Sequence, residues 1–86
     1  MPELDWDKMQ KVLDEVRLER VQQQTKWGQQ DHSAPMWYGI LGEEVGEVAR
    51  GFLERDMDNY REELVQVAAV AVAAVEAYDR GTTTPR

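Results

Sequence analysis

The chain has 86 residues and a formal net charge of −7. An acidic surface does not hold nucleic-acid backbone or anionic membrane by unassisted Coulomb attraction, so polymeric nucleic acid and membrane are excluded as expected partners. There is no cysteine, which excludes disulfides and thiolate metal sites. A chain of this length forms one domain with a modest core, so we expect help from a second copy.

The first helix is predicted from Asp5, a good N-cap, to about Gln24. Its apolar residues recur at steps of three and four positions, at Met9, Val12, Leu13 and Val16. The following segment, from Thr25 to Ser33, lacks an apolar period and contains a glycine. It is therefore predicted to be a loop.

A second helix is predicted to begin after Ser33 as N-cap, with Pro35 in its first turn. It carries a broad apolar stripe, formed by Trp37, Ile40, Leu41, Val45, Val48 and Phe52. Gly42, Gly46 and Gly51 each cost such a helix roughly 1 kcal/mol relative to alanine. They predict close approach by another element or by a ligand, and simple tolerance is the alternative.

A turn is predicted over 55–59, and the third helix from Asp58 or Asn59 to about Arg80, since Asn59 and Glu62 have capping-box spacing. Between positions 64 and 77 only Gln66 and Glu76 are polar, so this helix should be buried on most sides. This stretch of fourteen residues is too short to cross a bilayer, and its many alanines favour close contact between helices.

The expected fold is therefore all-α, with an N-terminal helix and a helical hairpin that assemble into an oligomeric bundle. Residues 1–80 form the single domain, and residues 81–86 form a polar C-terminal tail. No basic segment followed by an apolar one stands at the N-terminus, which predicts a cytoplasmic protein.

Two polar runs interrupt the helical hairpin. Glu44 and Glu47 are three positions apart and share a helix face, as do Glu63 and Gln66. If the chain doubles back near position 55, position 44 faces 66 and position 47 faces 63. Carboxylates packed together repel one another unless a cation neutralises them, and oxygen ligands suit Mg2+ or Mn2+. The alternative is an ordinary solvated helix face.

Several short motifs follow one another at a recognisable spacing: Glu19-Arg20, Gln23, Lys26-Trp27-Gly28, Gln30, His32, Trp37, Ile40-Leu41, Glu43-Glu44-Val45-Gly46-Glu47-Val48 and Glu62-Glu63-Leu64-Val65-Gln66-Val67-Ala68-Ala69-Val70. They resemble the MazG-like, all-α nucleoside triphosphate pyrophosphohydrolase superfamily, in particular its short members common in phages and bacteria. The resemblance runs from about Glu19 to Glu76. A phage-encoded member would act in the host cytoplasm.

The resemblance implies a dimer or tetramer that binds Mg2+ and cleaves a nucleoside triphosphate to monophosphate and pyrophosphate. The family's Glu-x-x-Glu run matches Glu44 and Glu47, and its later Glu-x-x-Asp run matches Glu63, with Gln66 at the aspartate position. A glutamine carbonyl can coordinate Mg2+ but adds no charge, so lower metal affinity is expected. Glu43 is the candidate catalytic residue, which orients the attacking water or holds another metal ion.

Five residues are candidates for substrate binding. Arg20 and Lys26 can meet phosphates, Trp27 offers a face for a base, and Gln30 and His32 offer hydrogen bonds to a base or sugar. Each also has an ordinary interpretation, as a balancing charge, a core aromatic residue or a loop residue. Trp37 is assigned to the core.

The expected function is that of a Mg2+-dependent nucleotide pyrophosphohydrolase. One alternative, motivated by Gln66, is a catalytically attenuated module that binds nucleotide and metal and has a regulatory role. A second, motivated by the apolar third helix, is a purely structural or regulatory helical oligomer. The sequence leaves open the preferred base and sugar, and the choice between diphosphate and triphosphate.

Overall fold

The computed structural model describes residues 2–86, which form three helices: α1 (Trp6–Trp27), α2 (Ala34–Leu53) and α3 (Met57–Asp79). These residues contain no strand. The all-α prediction with three main helices is thereby confirmed. No helix in this part of the chain is both long and apolar enough to cross a membrane.

Helix α1 begins where the sequence predicted and ends three residues later. The Asp5 carboxylate accepts a hydrogen bond from the Lys8 amide at 2.9 Å, which confirms the cap. The Thr25 hydroxyl donates to the Val21 carbonyl, and Gly28, with φ of +72°, ends the helix. The predicted loop start at Thr25 is therefore wrong. The last turn of α1 is helical although its residues show no apolar period. As a result, Lys26 and Trp27 are held on a helix.

The start of α2 is confirmed, since the Ser33 hydroxyl accepts from the Met36 amide at 3.3 Å. The start of α3 differs from the prediction. Asp56 caps it by accepting from the Asn59 amide at 3.1 Å, so the helix begins at Met57 and the predicted capping box starting at Asn59 is wrong. The reason is that Asp56 is an equally good cap and comes first along the chain. Arg80 is the C-terminal cap of α3, as expected.

Both α1 and α2 pack on α3, and among residues 2–86 no close approach occurs between α1 and α2. The helices α2 and α3 approach each other closely at Gly51, where an added Cβ would lie 2.9 Å from the backbone nitrogen and Cα of Tyr60. The predicted close approach is thus confirmed at Gly51. No element of the described chain approaches Gly42 or Gly46, where an added Cβ would meet nothing within 4 Å.

The core is small and centred on α3, with buried side chains at Val16, Trp37, Ala69, Val70, Ala73 and Ala77. Other apolar residues of α3 remain exposed, including Val75 at 59% and Tyr78 at 72%. The accessible surface is 6763 Å², whereas a compact monomer of 9.9 kDa would have about 5,200 Å². The radius of gyration is 14.4 Å, against about 12 Å expected. A single chain therefore leaves part of the apolar surface of α3 uncovered.

The uncovered apolar residues form what we call the apolar face: Tyr38, Val45 and Phe52 on α2, and Ala71, Val75 and Tyr78 on α3. Each set recurs at steps of three, four or seven residues, which places it on one side of its helix. Because the two helices are antiparallel neighbours, both sets lie on the side of the hairpin that α1 does not cover.

Candidate functional site

A cleft lies between α1 and α2, and α3 forms its floor. It contains two adjoining cavities. The inner cavity, of about 240 Å³, is lined by Gln23, Trp27, Gln30, Trp37, Ile40, Glu43, Glu44, Val70 and Ala73. The outer cavity, of about 340 Å³, is lined by Glu19, Gln22, Gln23, Lys26, Trp27, Glu44 and Gln66. Gln23, Trp27 and Glu44 border both, so the two cavities are direct neighbours.

An acidic cluster of Glu44, Glu63 and Gln66 adjoins this cleft, with Glu44 bordering both cavities and Gln66 bordering the outer one. With its amide nitrogen turned toward the carboxylates, Gln66 donates to Glu44 Oε2 at 3.1 Å and to Glu63 Oε2 at 3.3 Å. The predicted meeting of positions 44 and 66 is therefore confirmed. Glu63 also lies close enough to share a hydrogen bond with Glu44.

The charge of this cluster is uncompensated. Burial raises the pKa of Glu44 most, and the negative charges of Glu63, Glu47 and Glu19 raise it further. A raised pKa means that the ionised form of Glu44 is disfavoured in this environment. A cation bound at the cluster would relieve both effects.

Glu47 does not join the cluster. Its carboxylate accepts from Arg50 Nη1 at 3.1 Å, one turn along the same helix. Within residues 2–86, no group of three or more carboxylate or imidazole side chains is close enough to hold a metal ion. The predicted opposition of positions 47 and 63 therefore does not bring these two side chains into one ligand set.

The donors of the acidic cluster nevertheless fit a divalent cation. Glu44 and Glu63 provide carboxylate oxygens, and Gln66 provides an amide oxygen once its side chain turns over. The ion pair that holds Glu47 is largely exposed and thus weak, so Glu47 can reorient toward the cluster at little cost. These four residues would hold the ion, as the sequence predicted.

Three of the predicted substrate-binding residues lie together at the cleft. Trp27 borders both cavities with 61% of its surface exposed, and the Lys26 ammonium stands 4.8 Å from the centroid of its ring. Gln30 lines the inner cavity. The candidate catalytic residue Glu43 lines the same cavity, outside the acidic cluster.

Arg20 and His32 lie elsewhere. The Arg20 guanidinium forms two hydrogen bonds with the Glu76 carboxylate, at 2.8 and 3.0 Å, and only 17% of its side chain is exposed. His32 packs edge-on against Trp37 with ring centroids 4.9 Å apart. Neither residue lines the inner or the outer cavity. In this arrangement both hold the fold together.

The sequence analysis did not assign three residues of α1 that line the site. Glu19 adds negative charge near Glu44, and Gln22 and Gln23 add amide groups. Together with Lys26 they recur at steps of three and four, the spacing of one helix face. That signal would have been visible had the first helix been extended to Trp27. Trp37 is confirmed as a core residue, 6% exposed, and it also borders the inner cavity.

Comparison with known protein families, with curated proteins and with solved structures finds no match to this chain. The resemblance to the MazG-like superfamily therefore depends on the motifs quoted above.

Proposed function

We propose that the chain is a Mg2+-dependent nucleotide pyrophosphohydrolase that cleaves a nucleoside triphosphate to the monophosphate and pyrophosphate. The observation that carries this proposal is the position of Glu44, the member of the acidic cluster that borders two cavities of different character. The inner cavity has aromatic and apolar walls with a few amides. The outer cavity is mostly polar and contains Lys26.

This division suits the two ends of a nucleotide. A planar base fits against Trp27 in the inner cavity, above the apolar floor of Val70 and Ala73. The amides of Gln23 and Gln30 border that cavity and can hydrogen-bond the edge of the base. The phosphates then extend over the acidic cluster toward Lys26.

A triphosphate and a carboxylate cluster are both negatively charged, so the triphosphate binds beside the cluster only if a cation lies between them. Mg2+, or Mn2+ in its place, would be held by Glu44, Glu63, the Gln66 carbonyl and Glu47, and when bound it supplies charge neutralisation and a more acidic water. Glu43 borders the inner cavity beside Glu44 and accepts the proton of the attacking water. The oxygen of that water bonds to the α-phosphorus, and the bond from this phosphorus to its bridging oxygen breaks as pyrophosphate leaves.

The hydrogen bonds of Gln66 favour a second candidate, a binding module with attenuated catalysis. When its amide is turned so that the nitrogen faces the carboxylates, Gln66 can donate to both of them. This bonding competes with turning the carbonyl toward a metal ion. Gln66→Asp removes the competing donor and adds a charge, so a large gain in rate would identify the wild-type protein as an attenuated enzyme or binding module.

The deciding experiment is pyrophosphate release from a panel of nucleoside triphosphates, with Mg2+, with Mn2+ and with chelator. We expect metal-dependent release that falls at least about 100-fold in Glu44→Gln and Glu63→Gln. Glu54→Gln is the matched control, since Glu54 caps the other end of α2 outside the cleft. If the folded wild type neither releases pyrophosphate nor gains thermal stability from nucleotide and Mg2+, the protein is instead a structural or regulatory helical oligomer.

We also propose that the protein is a homo-oligomer, with a dimer as the smallest assembly, formed through the apolar face. The single chain exposes about 1,500 Å² more surface than a compact monomer of its mass. Obligate homodimers bury roughly 1,000–2,500 Å² per subunit. A second copy therefore accounts for the excess area, and it leaves the cleft on the other side of the hairpin open to a nucleotide.

A further inference from the structure

We propose that Arg80 is a positioning residue, which fixes the wall of the inner cavity by anchoring the loop that carries Gln30. The proposal rests on the proposed function, because it assigns to this cavity the recognition of a base. It concerns the C-terminal strap, by which we mean residues 80–84. Most of this segment was predicted from the sequence to be a polar tail.

The strap binds the connection between α1 and α2 through side chains. Arg80 Nη2 donates to Asp31 Oδ1 at 3.1 Å and to the Gln30 carbonyl at 3.4 Å. Gln29 Nε2 donates to the same carboxylate at 3.1 Å. These hydrogen bonds from Gln29 and Arg80 lower the pKa of Asp31, so this carboxylate stays ionised.

Backbone contacts secure the strap at both ends. The Thr82 amide and hydroxyl both donate to the Ala77 carbonyl, at 3.1 and 2.9 Å, which ties the strap to the end of α3. The Thr84 carbonyl accepts from the Ala34 amide at 2.8 Å. That amide is one of the unpaired donors at the start of α2. The strap therefore spans from α3 to the first turn of α2.

The loop has few other supports. Residues 28–33 contain no aliphatic side chain, and His32 is the one that packs on the core aromatic residue Trp37. Ordering such a segment carries an entropic cost that contacts must offset. Gln30 lines the inner cavity from this loop, so its position depends on the bonds from Arg80.

The strap does not support the phosphate end of the site. Lys26 lies on α1, Glu44 on α2, and Glu63 and Gln66 on α3, all on regular helix that Arg80 does not contact. Loss of Arg80 should therefore weaken recognition of the base and spare binding of the phosphates. A general loss of structure would weaken both.

The test compares nucleoside triphosphate with inorganic pyrophosphate as ligands of Arg80→Ala in the presence of Mg2+. We expect KM for the nucleotide to rise about tenfold with kcat changed less than about twofold, as loss of one charged hydrogen bond predicts, and the Kd of pyrophosphate to stay unchanged. Arg80→Lys keeps a charge beside Asp31 and should recover part of the loss.

Arg61→Ala is the matched control, since it removes another ion pair between elements, to Glu15 at 2.6 Å. The ratio of nucleotide to pyrophosphate affinity should not change in this variant. The inference is overturned if Arg80→Ala binds nucleotide as the wild type does, or if it loses nucleotide and pyrophosphate equally. If the wild type itself binds no nucleotide, the proposed function fails first and the inference falls with it.

Discussion

The two sides of the α2 and α3 hairpin differ in what they leave uncovered. One side bears α1 and the cleft with its acidic cluster, and the other is the apolar face. Glu44 and Val45 are neighbours in sequence, yet Glu44 is in the cluster and Val45 is exposed on the apolar face. A step of 100° along a helix is enough to separate the two environments.

Each side is incomplete in its own way. On the cleft side, carboxylates repel one another, and a cation with a phosphate-bearing ligand would relieve that repulsion. On the other side, apolar surface remains in contact with water, and a second protein surface would remove it. One pair of helices can therefore serve ligand binding and assembly without using the same residues for both.

The largest effect is expected from a charged substitution in the apolar face. Val75→Asp places a charge in the proposed interface, at a position exposed enough in the single chain that folding should survive. We expect at least about 100-fold weaker self-association by sedimentation velocity. Val21→Asp, on an exposed part of α1 outside this face, should leave the assembly intact. A monomeric wild type, or equal behaviour of the two variants, would show that the apolar face is not an interface.

A smaller effect is expected for the distance between α2 and α3, on which the cleft and the apolar face both depend. Gly51→Ala places a methyl group 2.9 Å from the backbone of Tyr60, so we expect the free energy of unfolding to fall by about 1–3 kcal/mol. Gly46→Ala meets no atom within 4 Å and should raise it by up to roughly 1 kcal/mol through helix propensity. Urea denaturation measures both. Similar effects of the two changes would contradict the close approach at Gly51.

The smallest expected effect tests whether burial and like charge destabilise the ionised form of Glu44 in the acidic cluster. Because the folded protein raises the pKa of Glu44, the folded state binds this proton more tightly than the unfolded state does. Stability is therefore lost as pH rises from the unfolded pKa through the folded one. In chelator, Glu44→Gln should have a Tm about 2–4 °C above the wild type at pH 8.

The same comparison has two built-in checks. The difference in Tm should vanish at pH 4, where Glu44 is protonated in both states. Excess Mg2+ at pH 8 should instead make the Tm of the wild type the higher one, because only the wild type offers the ion all of the proposed ligands. A Tm difference that is constant across pH would show that Glu44 is not destabilised by burial and like charge.

Local signals in the sequence were sufficient for much of the fold. Asp5 and Ser33 are capping residues whose positions alone predict two helix starts, and both caps form. The meeting of Glu44 and Gln66 follows from counting residues on either side of a turn. Where two capping residues compete, as Asp56 and Asn59 do, local preference does not decide between them, and the start of α3 was misplaced.

The position of α1 depends on contacts between distant residues. The pairing of Arg20 with Glu76 joins positions 56 apart in sequence, and no periodicity within α1 indicates it. Unless that pairing is known, the sequence does not show on which side of the hairpin α1 packs. The sequence shows that Glu19 and Gln23 share a helix face with Lys26, but only the structure shows that this face borders the cleft and that Arg20 lies outside it.

Because α1 and α2 do not approach each other closely, the width of the cleft depends on how each of them packs on α3. Small side chains such as Ala69 and Ala73 on α3 set how near the other two helices can come. A substitution confined to α1 therefore changes one wall of the cleft without repacking the opposite wall or the apolar face. A lineage of such proteins can exchange one ligand for another through mutations in its first helix, while the way the subunits associate is inherited unchanged.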